Sequence, residues 1–134
     1  MENILEININ TEWDIITARQ IARETSKSIG FDTVDQARIV TAISEIAKNI
    51  FLYAEEGKIR IEKIVNAKNA DEKGISITAI DNGPGIIDIK SVLDESNSKG
   101  LGAGLPGVKR LMDSLEIQSE VGKGTKVRIE KWLR

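Results

Sequence analysis

The sequence predicts a two-layer α+β sandwich, a mixed and mainly antiparallel sheet with helices packed on one face. Three observations predict it. Apolar residues repeat with period two in five short stretches and with a helical period in segments between them. The strands fall largely in hairpin-connected pairs, which favours antiparallel neighbours. The order β-α-α-β-β-α-α-β-β then lets each helix turn one apolar stripe toward a single sheet face. A chain of 134 residues with 40% hydrophobic content can bury one such core without staples, so a single domain spanning 1–134 is expected.

Each element has a local reason. Leu5, Ile7 and Ile9 alternate with polar residues, as a half-buried strand requires. Thr11 and Asp14 are spaced as a capping box opening a helix with Ala18, Ala22, Thr25 and Ile29 at inward positions, and Gly30 is placed to end it. A second box, Thr33 with Gln36, starts a helix running to about Tyr53, whose core stripe is Ile39, Ile43, Ile46 and Ile50. Strands over 58–65 and 74–81 follow, joined by the polar connector NAKNADEK. After Asp81 the run NGPGI cannot continue a strand. Residues 88–94 read as a short helix and 94–100 as a polar loop. The next helix carries Leu105, Val108, Leu111, Met112 and Leu115 on one face. A hairpin of 115–121 and 125–133 around GKG closes the chain.

Composition removes several function classes. A net charge of −2 gives no support to nucleic-acid backbone binding, which needs a basic excess. No apolar run approaches a membrane span, and the N-terminal MENILEININ has neither a basic n-region nor a cleavage site. The expectation is a cytoplasmic protein with no nucleic-acid or membrane partner. With no cysteine there is no disulfide framework and no thiolate chemistry. With no histidine there is no His-dependent triad, His-ligated metal or phosphohistidine, which leaves acid–base work to Asp, Glu, Lys, Tyr or the backbone.

Four motifs carry the remaining chemistry. Gly102-Ala103-Gly104-Leu105-Pro106-Gly107 satisfies G-x-G-x-x-G, but polar DESNSK precedes it where a dinucleotide fingerprint needs a strand. No P-loop pattern occurs either. Glycines before a helix start still let backbone N–H groups converge on an anion, and Pro106 falls in the first turn where its missing N–H costs nothing. From this stretch alone, a phosphate loop and a plain flexible linker are equally open. Glu45 and Asn49, spaced i, i+4, share a face of the second helix at the margin of its Ile stripe, although two solvated polar residues would look the same. In DNGPGI, Asp81 ends an apolar strand and could accept a hydrogen bond from an exocyclic amine, with Gly83 and Gly85 allowing a flat ring to approach; a simple Asn-Gly turn is the plain alternative. The fourth motif, GKGT at 122–125, could equally be a hairpin turn.

Together, in this order, the four motifs resemble the boxes of the GHKL ATPase superfamily, over nearly the whole chain. The resemblance implies a Bergerat-type fold that binds ATP between helices and a loop acting as a lid. It implies Asn49 as the Mg²⁺ ligand, Asp81 as the partner of the adenine amino group, and Gly83 and Gly85 as the first glycine box. It likewise implies Gly100, Leu101, Gly102, Ala103, Gly104 and Leu105 as the ATP lid, Thr125 as the last-box threonine, and Glu45 as the catalytic base. The chain ends directly after this module and lacks a His-bearing segment, so it is most similar to the small serine/threonine kinases of bacterial partner-switching systems. That group implies STAS-domain scaffold and antagonist proteins of a stressosome as substrates, and a PP2C-type phosphatase activated by the released kinase. The alternative within the superfamily is an ATP-gated anti-sigma factor that sequesters a sigma subunit. One departure stands out: where anti-sigma kinases typically place an Arg before the lid glycines, the nearest cation is Lys99, shifted by a residue. A lysine supplies a point charge but no bidentate fork.

Overall fold

In the computed structural model the described residues are 4–54, 56–85 and 104–134. The helix expected over 88–94, Lys99, and the lid residues Gly100, Leu101, Gly102 and Ala103 lie outside them.

Strand β1 (Ile4–Ile9) is followed by helices α1 (Glu12–Ile29) and α2 (Thr33–Asn49), and α2 runs on into a π-helical turn, Ile50–Ala54. The hairpin β2 (Gly57–Val65) and β3 (Lys73–Asp81) comes next, then α3 (Gly104–Leu111) and the hairpin β4 (Ser114–Glu120) and β5 (Gly124–Trp132). The five strands form one sheet in the order β1-β2-β3-β5-β4, with every neighbouring pair antiparallel. The expected two-layer sandwich is thus present, and among the described strands the sheet is wholly antiparallel rather than mixed.

Register explains which face is covered. Ile7, Ile59, Ala79, Val127 and Ile117 form one row across the five strands, and Leu5, Ile61, Ile77, Ile129 and Leu115 form the next. Directly opposed residues share a sheet face, so these rows make a single apolar surface. Ala18 and Ala22 of α1 and Ile39, Ile43 and Ile46 of α2 close over it in one core cluster with Ile59, Ile61, Ile77 and Ile129. The opposite face carries Lys58, Arg60 and Glu62 on β2 against Lys126, Arg128 and Glu130 on β5, with β3 between them. β-branched residues suit the pleated surface, and isoleucine dominates the fully buried set.

The helix ends show what each cap does. Asp14 Oδ2 accepts the Thr11 N–H at 2.9 Å and the Asn10 N–H at 2.9 Å, anchoring the start of α1 as expected. Gly30, at φ +121°, ends α1 with its N–H directed at the Ser26 and Lys27 carbonyls. The second box is corrected. Asp32, not Thr33, is the N-cap of α2, its carboxylate accepting the Asp35 N–H at 2.8 Å; Gln36 Nε2 donates instead to the Phe31 carbonyl. An anionic cap satisfies an orphan N–H and also meets the positive end of the helix dipole, so the charged neighbour prevails. The end of α2 is corrected too: α-helical bonding stops at Asn49 and the chain continues in π form to Ala54. Leu115 lies on β4 rather than on the helix, although it packs on the same core.

Candidate functional site

The sheet row beyond the last apolar one is where the chemistry gathers. Ile9, Gly57, Asp81, Thr125 and Ser119 are successive register partners across the five strands. Ile9 is fully buried under the helices, so Asp81, Thr125 and Ser119 project on the helix-covered face, at its margin. Asp81 is half-buried, and its Oδ1 accepts the Gly83 N–H at 2.9 Å, which turns the chain sharply after β3. The Thr125 and Ser119 hydroxyl oxygens are 2.9 Å apart, and the Ser119 hydroxyl also donates to the Gly124 carbonyl at 3.0 Å.

The turn after Asp81 is held from two sides. A β-carbon on Gly83 would stand 2.7 Å from that of Ala54, the last residue of the π-helical turn. Gly85, at φ +81°, lies against the Glu120 carbonyl, and the Gly122 N–H donates to the Pro84 carbonyl at 2.9 Å. The carboxylate and its glycines are therefore wedged between the end of the α2 segment and the β4–β5 turn.

Glu45 and Asn49 occupy the last turn and a half of α2, as their i, i+4 spacing requires. The Glu45 side chain is 14% exposed, with Lys48 Nζ at 3.5 Å from Oε1. Asn49 is half-buried and is the last α-helical residue. The helix changes to π form at this point, a departure frequent at functional sites. On the far side, Gly104 opens α3 at φ +59°, and the Leu105 side chain is buried in the core. What Leu105 can offer an anion is its backbone N–H. The structure thus brings Asp81, Gly83, Gly85 and Thr125 together and ties them to the end of the segment bearing Glu45 and Asn49.

Three participants were not singled out in the sequence. Gly124, at φ +90°, would press any β-carbon into the Asp81 carbonyl oxygen. A β-carbon on Gly57 would lie 2.6 Å from the Ile80 carbonyl oxygen and 3.1 Å from the Asp81 β-carbon. Ser119 meets Thr125 from the edge strand. Gly124 stood inside the GKGT motif, but its role depends on the β3–β5 register.

The donor set fits a nucleotide carrying its own cation. Among the described residues no group of three or more Asp, Glu, His or Cys could cage a metal. A single amide oxygen such as that of Asn49 suits Mg²⁺, which takes most of its ligands from phosphates and water.

Comparison with known proteins decides the family. Residues 10–131 match the model described as a histidine kinase-like ATPase domain. The chain belongs to this family. The serine/threonine-protein kinase RsbT of Bacillus subtilis (strain 168) is 55% identical over 130 residues, covering 96% of both chains. The enzyme class read from the motifs, a protein serine/threonine kinase, is the one this relative carries by name. An anti-sigma F factor of Caldanaerobacter subterraneus subsp. tengcongensis is 38% identical over 102 residues, 72% of this chain and 70% of its own. Among solved structures, the RsbU and RsbW domains of Rv1364c from Mycobacterium tuberculosis match with a TM-score of 0.66 and 22% identity, over 99% of this chain and 34% of that one. The last likeness shows the fold alone, and it agrees with the sandwich described above. No helix among the described residues is long and apolar enough to cross a membrane.

Proposed function

We propose that the chain is a cytoplasmic, ATP- and Mg²⁺-dependent serine/threonine kinase of a stress-responsive partner-switching pathway. Its substrates are STAS-domain scaffold and antagonist proteins of a stressosome, and once released from them it binds and activates a PP2C-type phosphatase. The observation that carries this reading is the packing of Gly83 on Ala54, which joins the Asp81 turn to the segment bearing Glu45 and Asn49. The similarity to RsbT supports it independently.

In this reading the Asp81 carboxylate accepts a hydrogen bond from the adenine amino group, and Gly83 and Gly85 let the ring lie against backbone. Thr125, beside Asp81 on the same face, closes that end of the pocket. The loop Gly100, Leu101, Gly102, Ala103, Gly104 and Leu105 offers backbone N–H groups to the phosphates. Asn49 gives its amide oxygen to Mg²⁺, which neutralises phosphate charge when bound. Glu45 receives the proton of the substrate hydroxyl as that oxygen bonds to the γ-phosphorus. The bond from phosphorus to the β–γ bridging oxygen breaks, and ADP leaves. Little else is asked of the protein, because phosphoryl transfer depends mainly on position and charge.

The test is incubation with Mg²⁺, labelled ATP and STAS-domain proteins. Label on a Ser or Thr of the partner is expected; no transfer to any of them would sink the kinase reading. The similarity to an anti-sigma F factor favours a second reading, an ATP-gated anti-sigma factor. Capture of a sigma subunit in a pull-down, in place of STAS proteins and a phosphatase, would decide for it.

A further inference from the structure

A groove of about 410 Å³ runs between the first half of α2 and the end of α3, lined by Thr33, Val34, Ala37, Arg38, Thr41 and Leu111. Its α2 wall is apolar yet open: Val34 is 56% exposed, and Ala37 and Thr41 are exposed as well. The helical period places Val34, Ala37, Arg38, Thr41 and Glu45 along one face of α2, so the candidate base stands one turn beyond Thr41, the last α2 residue lining the groove. The groove's one charged lining residue is Arg38. Arg38, half-exposed, is 2.8 Å from Asp35, and the same carboxylate lies 3.9 Å from Lys131 Nζ, so two cations share one anion.

We propose that this groove is the docking site for the segment of the protein substrate that bears the phosphoacceptor hydroxyl, an inference that rests on the kinase reading above. The occupant's chemistry follows from the walls. A branched aliphatic side chain fills the space over Leu111, Ala37 and Thr41, and a carboxylate meets Arg38. The geometry also sets a spacing. Arg38 and Glu45 are two helical turns apart, roughly 10 Å along the axis. An extended chain covers that in about three residues, so the carboxylate should stand about three residues, or the same distance in space, from the acceptor Ser or Thr. Docking here places the hydroxyl at Glu45 without using any group that holds the nucleotide. Recognition of protein and of ATP is thereby separated along one helix.

The experiment measures steady-state transfer from Mg·ATP to a STAS-domain protein by wild type, Arg38→Glu and Ala37→Trp, with nucleotide affinity measured in parallel. Both positions are on the exposed face of α2, and circular dichroism checks that each variant is folded. The expected result is a rise in KM for the protein substrate of about tenfold or more, with kcat and nucleotide affinity within about twofold of wild type. Replacing the matching acidic residue of the substrate by Lys should restore KM for Arg38→Glu. If wild type transfers phosphate and both variants keep its KM, the groove inference is overturned while the kinase reading stands. If wild type transfers none, the kinase reading falls and takes the inference with it. Loss of phosphatase activation, or of self-association in sedimentation, with KM unchanged would assign the groove to a different occupant and likewise overturn it.

Discussion

Gly124 lies so close beneath Asp81 that a β-carbon on it would run into the Asp81 carbonyl oxygen. Its φ of +90° is, in addition, a conformation that side-chain-bearing residues rarely adopt. Gly122, two residues earlier, has a similar φ of +82° but nothing within 4 Å of the position a β-carbon would take. The pair separates backbone strain from collision. Gly122→Ala should cost about 1 kcal/mol of stability, the strain alone. Gly124→Ala should cost about 2–4 kcal/mol in urea unfolding, because the ladder beside Asp81 must also move. It should weaken nucleotide binding as well, which Gly122→Ala should not.

Asp81→Asn tests the purine assignment. The amide can still accept the Gly83 N–H that Oδ1 accepts at 2.9 Å, so the turn should survive. What is lost is the charged acceptor proposed for the adenine amine, worth about 1.5–3 kcal/mol. Binding of ATP should therefore weaken by roughly ten- to a hundredfold, with little change in unfolding midpoint. Titration calorimetry with ATP and with GTP checks both parts, since a carboxylate at this position should reject the carbonyl of guanine.

The two residues at the end of α2 should fail differently. Glu45→Ala removes the proposed proton acceptor and should lower kcat by about 10²–10⁴-fold with ATP affinity nearly unchanged. Asn49→Asp puts a negative charge at the proposed Mg²⁺ ligand and should shift the Mg²⁺ dependence along with ATP affinity. Single-turnover transfer across a Mg²⁺ series distinguishes them. Wild-type transfer by Glu45→Ala would remove Glu45 from the chemistry.

Much of this fold could be read along the chain, because period is local. Ile39, Ile43, Ile46 and Ile50 repeat as a helix must, and the alternations over 58–65 and 74–81 found their strands to within a residue. The motif residues Asp81, Gly83, Gly85 and Thr125, far apart in the chain, come together at one end of the sheet. Features that depend on distant neighbours were not legible. IFLYA reads as more helix, and its π form accompanies contacts with β2 and with the turn after β3, Ile50 against Gly57 and Ala54 against Gly83. Thr33 and Asp32 both suit a cap, and the choice follows the hydrogen bond that Asp35 donates. Lys131 has the same parity on β5 as Val127 and Ile129, yet its charge suggests surface; it is 9% exposed because its ammonium reaches the end of α3.

That lysine gives a prediction of its own. Lys131 Nζ donates to the Leu111 carbonyl at 2.9 Å, capping the C-terminus of α3 with a positive charge. Lys131→Met keeps the stem and deletes the donor, leaving an unsatisfied carbonyl and a carboxylate at Asp35 with one cation fewer. A loss of about 1–3 kcal/mol is expected in urea unfolding. Lys131→Arg should recover part of it, and hydrogen exchange should localise the loosening to α3 before the rest of the chain.

The cap of α1 sets the response to acid. The Asp14 carboxyl is held below its usual 3.8 by hydrogen bonds from the Asn10 and Thr11 backbone N–H groups and from the Thr11 hydroxyl. Folding therefore favours the ionised form. Its contribution is complete above about pH 5 and is lost as pH falls through 3.8 toward the lower folded-state value. Asp14→Asn should be less stable than wild type at neutral pH, and the gap should close on acidification because wild type loses its own charge. Glu6, also held low by Arg60 and Lys58, titrates in the same direction, so it must be common to both proteins being compared. Thermal unfolding of the two proteins from pH 7 to pH 3 measures the difference. A gap that stays constant over that range would show that the Asp14 charge does not contribute to the cap.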